Sequence, residues 1–95
     1  MKTSELTGAA LNWAVHYVEG LAGVFAPVNY CKWEHGGPII EREMIELVPQ
    51  SDSLWDAMYR GQHIPNDGPT PLIAAMRCYV ASKLGDEIEI PKELK

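Results

Sequence analysis

The chain has 95 residues, 46% of them hydrophobic and 22% charged, with eight Lys and Arg against thirteen Asp and Glu for a formal net charge of −5. This is material for one domain with a core (residues 1–95, with 1–6 and 92–95 as fraying ends), and it excludes wholesale disorder. The acidic balance excludes a general phosphate-backbone binder, which needs a basic stripe to release counterions.

Residues 7–19 predict the first helix. Thr7 is the expected N-cap, with Ser4 as its competitor, and Gly20 stands where a C′ glycine belongs. Ala10, Leu11, Ala14, Val15 and Val18 recur at spacings of three and four and share one face, while Asn12, His16 and Glu19 collect opposite. Trp13 and Tyr17, one turn apart, fall on the border of the apolar stripe. There they either cap the core edge or serve as an aromatic anchor for a partner.

The middle of the chain is less periodic. Residues 20–28 read as a loop and 29–33 as a short extended segment, and His35-Gly36-Gly37-Pro38 carries a turn signal. Pro38 can open a short helix through Glu43, although the paired isoleucines at 39 and 40 leave a strand open. Ile45 and Leu47 alternate with Glu46 and Val48, and Trp55, Ala57 and Tyr59 alternate with Asp56 and Met58. Two alternating runs around the turn cluster 49–53 predict a β-hairpin over 45–59. A polar loop is expected over 60–69.

The helix Pro71–Leu84 has the strongest boundary signals, with Thr70 as N-cap, Pro71 at N1 and Gly85 past the end. Leu72, Ile73, Met76, Tyr79, Val80 and Leu84 form one broad face, and Ala74, Ala75, Cys78, Ala81 and Ser82 cover much of the rest. A helix apolar nearly all round is a buried one, so this is the expected center of the core. Glu87-Ile88-Glu89-Ile90 alternates as an edge strand would, and Pro91 closes it. The expected fold class is α+β: a small antiparallel sheet built on the central hairpin, packed by an N-terminal and a C-terminal helix. The strand 87–90, or the residues before Thr7, would extend that sheet.

Little in the sequence points to chemistry. Cys31 and His35 form one loose pair, with Cys78, His16 and His63 elsewhere, whereas a structural zinc site usually wants two close pairs; no metal site and no cofactor are expected. A Cys31 nucleophile activated by His35 would lack a third, orienting group. Glu41, Glu43 and Glu46 read as solvated carboxylates rather than an acid–base pair. No phosphate-binding loop, dinucleotide fingerprint or nucleophile elbow occurs. No catalytic residue is therefore expected. Arg77 is the charged residue that needs an account, because it lies in mid-helix among apolar neighbors. The expectation is a structural ion pair with Glu41, Glu43 or Asp67; an exposed, snorkeling side chain or a contact for a partner are the alternatives.

Gly36-Gly37-Pro38-Ile39-Ile40-Glu41-Arg42-Glu43, the run from Gly68-Pro69-Thr70 to Gly85, and Leu6-Thr7-Gly8-Ala9-Ala10-Leu11-Asn12-Trp13-Ala14-Val15 together resemble the NinX-like proteins of lambdoid phages and their prophages. The resemblance spans nearly the whole chain. It departs around 31–35, where a polar, Ser/Asp-rich segment would be expected, and at 50–53. It implies a phage or prophage accessory protein of the early region, acting in the host cytoplasm, and implies no activity or site residues.

The function expected from these residues is a non-enzymatic protein-interaction module whose partner is a phage or host protein. Trp13, Tyr17, Glu41, Glu43, His63 and Asp67 are its candidate surface. One alternative is an acidic decoy for a nucleic-acid-handling protein, with Glu41, Glu43, Glu46, Glu87 and Glu89 lined along one surface. The other is a small-ligand protein or enzyme using the 60–69 loop. The cysteines are too few for a disulfide scaffold, the start of the chain lacks a signal-type apolar region, and no apolar run approaches the ~20 residues of a membrane span. The expected compartment is cytoplasmic, without direct contact to nucleic acid or membrane. The small face of the C-terminal helix, with Trp13 and Tyr17, could also join two copies as a homodimer; the alternative is a monomer in which both features finish the core.

Overall fold

A computed structural model describes residues 1–20, 28–60 and 65–94. In chain order, a 3-10 turn at Thr3–Glu5 leads into helix α1 (Gly8–Val18), then helix α2 (Trp33–Glu43). Strands β1 (Ile45–Ser51), β2 (Leu54–Tyr59) and β3 (Asn66–Gly68) follow, and after them helix α3 (Pro71–Leu84) and a 3-10 turn at Lys92–Leu94. The strands form one antiparallel sheet in the order β1-β2-β3. This is an α+β fold with helices flanking a hairpin-based sheet.

The hairpin register follows from the alternation. Ile45 faces Tyr59, Leu47 faces Ala57 and Pro49 faces Trp55. Ile45 and Ala57 are core residues, with Leu47, Trp55 and Tyr59 packed on them. Pro49 is tolerated because β1 is an edge strand and its missing N–H breaks no central ladder.

Helix α3 is the center of the packing. It lies against all three strands, against α1 and α2, and against the first 3-10 turn. Leu72, Ala74, Ala75, Met76, Cys78, Tyr79 and Val80 are all buried. Its start is capped as expected: the Thr70 hydroxyl accepts from the Ile73 N–H at 3.1 Å. Part of the small face is spent inside the chain, where Ala74, Ala75 and Cys78 are buried. A Cβ on Gly68 of β3 would come within 2.8 Å of the Ala74 nitrogen, so strand and helix touch backbone to backbone.

The structure corrects several expectations. Residues 29–33 form no extended segment: a turn at Tyr30 and Cys31 leads directly into α2, which begins at Trp33. His35-Gly36-Gly37-Pro38 is no turn but the body of that helix. The reason is packing, since a Cβ on Gly36 would sit 2.3 Å from the Tyr30 carbonyl oxygen and 2.6 Å from Leu72 Cδ2. Only glycine lets the helix come that close, and this contact outweighs the local preference for a turn. The polar segment 60–69 contains a third strand, β3. The loop read at 20–28 falls mostly on 21–27, outside the described residues.

The two ends of the chain do not extend the sheet. They meet each other through a single antiparallel bridge between Lys2 and Glu87. Thr3 N–H donates to the Asp86 carbonyl at 2.8 Å, and its hydroxyl donates to the Gly85 carbonyl at 3.0 Å. These bonds bury Thr3 and hold residues 85–88 in place. Within the 92–95 end, Lys92–Leu94 makes a 3-10 turn, with Leu94 partly packed on the core.

Candidate functional site

Two features stand out from the surface: a polar cluster joining three layers of the fold, and an aromatic groove at the chain ends. The cluster is organized by Arg42, in the last turn of α2. Its guanidinium is bidentate on Glu19, with Nη1 and Nη2 donating at 3.2 and 2.9 Å, and Nε donates to Glu43 at 3.2 Å. Nη2 also donates to the Tyr79 hydroxyl at 2.9 Å, and that hydroxyl donates to Glu19 at 2.5 Å. Glu43 further accepts from the Tyr59 hydroxyl at 2.9 Å and pairs with Lys83 at 3.5 Å. Ser82 closes the ring of contacts by donating to Tyr59.

The carboxyls and phenols of the cluster are shifted by their neighbors and by burial. Hydrogen bonds from Arg42, outweighing burial, keep the Glu19 carboxyl below the ordinary value of 4.5. At Glu43 burial pushes upward, but Tyr59, Arg42 and Lys83 together hold the carboxyl low. Burial raises the Tyr59 hydroxyl to about 12 and the Tyr79 hydroxyl further. The thiols shift the same way: burial moves Cys31 up and Cys78 to about 11. The carboxylates shift toward the ionized form and the phenols and thiols toward the protonated form, as groups locked in hydrogen-bonded or buried positions do.

The groove lies on the far side of α1. Trp13 and Tyr17 stack with ring centroids 5.4 Å apart and planes 24° from parallel. Leu84, Glu87, Ile88 and Glu89 complete a groove of about 370 Å³. Tyr17 is 47% exposed, a large fraction for an aromatic in an ordered helix. Helix periodicity supplied the two aromatics. The opposite wall comes from residues more than 60 positions away in sequence, and no local signal announces it.

The other expected surface residues scatter. Glu41 is exposed on α2, and Glu43 is engaged in the polar cluster. Asp67 is exposed on β3, directly across from Asp56 on β2. His63 lies outside the described residues. Among the described residues, no group of three His, Cys, Asp or Glu could hold a metal ion, and no helix is long and apolar enough to cross a membrane.

Arg77 takes a different role from the expected ion pair. Nε donates to the Leu6 carbonyl at 2.7 Å and Nη1 to the Asp67 carbonyl at 2.9 Å, and among the described residues it has no carboxylate partner. Half-buried main-chain carbonyls need donors, and a forked guanidinium can reach two at once. Arg77 thus ties the N-terminal segment and β3 to α3. The carboxylate pairing expected of Arg77 belongs to Arg42. Tyr79 was the signal for it, because a buried tyrosine hydroxyl requires a polar partner.

With this geometry in hand, comparison with known proteins gives a family. The family model described as Bacteriophage P22, NinX matches residues 21–83. No curated protein matches the chain. The chain belongs to the phage NinX family.

Proposed function

We propose that this NinX-family phage accessory protein is a non-enzymatic interaction module of the host cytoplasm, which docks a phage or host protein on the groove beside Trp13 and Tyr17. The observation that carries the reading is the groove itself: a solvent-open Tyr17 stacked on a half-buried Trp13, set against aliphatic Leu84 and Ile88. Aromatic residues in a concave apolar setting are the usual energetic centers of protein interfaces. The polar cluster supports the non-enzymatic half of the proposal, because its donors and acceptors are spent on one another. A decoy acting through bulk acidic charge is the competing reading. It would lose affinity steeply with salt, whereas an apolar aromatic contact is far less salt-sensitive.

The test is quantitative capture from phage-infected cells with tagged wild type and with Trp13→Ser/Tyr17→Ser, in 0.1 and 0.5 M salt. A protein held by wild type at both salts and lost by the variant, whose circular dichroism matches wild type, is the expected result. Equal capture by both at 0.1 M salt would overturn the proposal, and if that shared capture also vanishes at 0.5 M salt the acidic decoy takes its place.

A further inference from the structure

The groove is acidic as well as aromatic, and this specifies what it takes. We infer that it receives a basic-aliphatic segment of the partner protein, with an arginine or lysine laid on the Trp13–Tyr17 stack and its charge met by Glu87 and Glu89. The inference rests on the interaction reading above and names the partner's chemistry. Three observations carry it.

First, Tyr17 stacks on a half-buried Trp13 and is itself nearly half exposed, so aromatic surface of the pair is open to solvent. Such a face attracts a cation by its quadrupole, and the attraction grows where water is excluded. Second, Glu87 and Glu89 line the same groove, are exposed, and have no ion-pair partner among the described residues. Glu87 also borders a second depression lined by Lys2, Ser4, Asn66 and Asp86, and the Met1 ammonium donates to the Ile88 carbonyl at 3.0 Å, so Asp86, Glu87 and Glu89 stand against two cations. Acidic charge there exceeds basic charge, so a partner carrying cations is complementary and one carrying anions is repelled. Third, Leu84 and Ile88 give the groove an aliphatic floor. This suits the methylene stem of a long basic side chain and an apolar residue beside it.

The groove is also built rather than incidental. The wall 85–88 is fixed by Thr3 and by the Lys2–Glu87 bridge, and the aromatics stand on a regular helix. Both walls are tied to the rest of the fold by these bonds, so little ordering is needed on binding.

The test uses the full chain and a capped hexapeptide of alternating leucine and arginine. Its controls replace arginine with citrulline, which keeps the shape and removes the charge, or with glutamate. Binding is read from the indole N–H resonances, which number three for Trp13, Trp33 and Trp55. The expected result is movement of the Trp13 resonance, with affinity at least ~10-fold weaker for citrulline and lost for glutamate. Glu87→Gln/Glu89→Gln should weaken the arginine peptide by ~10-fold at unchanged melting temperature. Citrulline binding as well as arginine, movement at Trp33 or Trp55 alone, or no movement at millimolar peptide would each overturn the inference. So would a concentration-dependent dimer that shifts Trp13 without peptide, since the occupant would then be a second copy. The two proposals fail separately: a partner lost on Trp13→Ser/Tyr17→Ser but held by Glu87→Gln/Glu89→Gln leaves the interaction module standing and removes the basic segment.

Discussion

Replacing Arg42 with methionine tests how the fold is held together. The substitution keeps the side-chain stem and deletes the guanidinium, which makes a bidentate contact to Glu19 and single contacts to Glu43 and Tyr79. A hydrogen bond to a charged group contributes about 1.5–3 kcal/mol when shielded. The Arg42 side chain is 51% exposed, so solvent screening brings each contact closer to ~0.5–1 kcal/mol. Three partners give a loss of ~1.5–3 kcal/mol. With a urea m-value of ~1 kcal/mol/M for a chain of this size, the midpoint should fall by ~1.5–3 M.

The pH dependence gives a second, independent readout. In the wild type both Glu19 and Glu43 titrate below 4.5, so the native state binds fewer protons than the unfolded chain. Their contribution is then fully present above the ordinary carboxylate pKa and disappears as pH falls through the lowered native values. Without Arg42 the largest downward influence on Glu19 is gone and burial takes over. The gap between wild type and Arg42→Met should therefore be widest near pH 7 and shrink below about pH 4.5. A loss under ~0.5 kcal/mol, or a gap that stays constant from pH 7 to pH 3.5, would refute this account of the cluster.

Other substitutions probe separate parts of the fold. Gly36→Ala should cost ~1–3 kcal/mol, because the new methyl meets the Tyr30 carbonyl and Leu72; an unchanged thermal midpoint would show that α2 does not need the close approach. Arg77→Lys should cost ~1 kcal/mol in urea melts, since one ammonium at the end of a flexible stem cannot reproduce the fork onto Leu6 and Asp67, whereas an effect under ~0.3 kcal/mol would make those carbonyl contacts irrelevant. Met44, left-handed at φ 57° and 64% exposed at the end of α2, should gain ~0.5–1 kcal/mol on replacement by glycine, and a loss would mean its side chain packs in a way its exposure does not suggest.

Which parts of this structure were legible in the sequence depends on the range of the forces that set them. α1, α3 and the hairpin are written in local terms: Thr7 at an N-cap position that its side chain leaves unbonded, a capping hydroxyl at Thr70, glycines at 20 and 85, and a period of two from Ile45 to Tyr59. α2 was read too short because its Gly-Gly-Pro run says turn to any local rule, and only the distant Tyr30 and Leu72 say otherwise. β3 is three residues of turn composition, made a strand by pairing with β2. The arginines illustrate the same limit. Arg77 drew notice because its neighbors are apolar, yet carbonyls of Leu6 and Asp67 satisfy it. Arg42 sits in an ordinary charged run and gains its partners from α1 and α3.

The two acidic regions also divide the protein's work along physical lines. Where carboxylates are covered, at Glu19 and Glu43, each is matched by a guanidinium, an ammonium or a phenol, as burial of charge requires. Where they are open to water, at Glu87 and Glu89, they stand without an ion-pair partner among the described residues beside an aromatic face. Solvent lets unpaired charge persist there at little cost to folding, so that is where charge can be kept for recognition. The wall carrying Glu87 is held by Thr3 and Lys2, and Arg77 holds Leu6 close behind them on α3. The arginine expected to make an ion pair thus bears on the groove through the backbone. It anchors the segment on which the acidic wall rests.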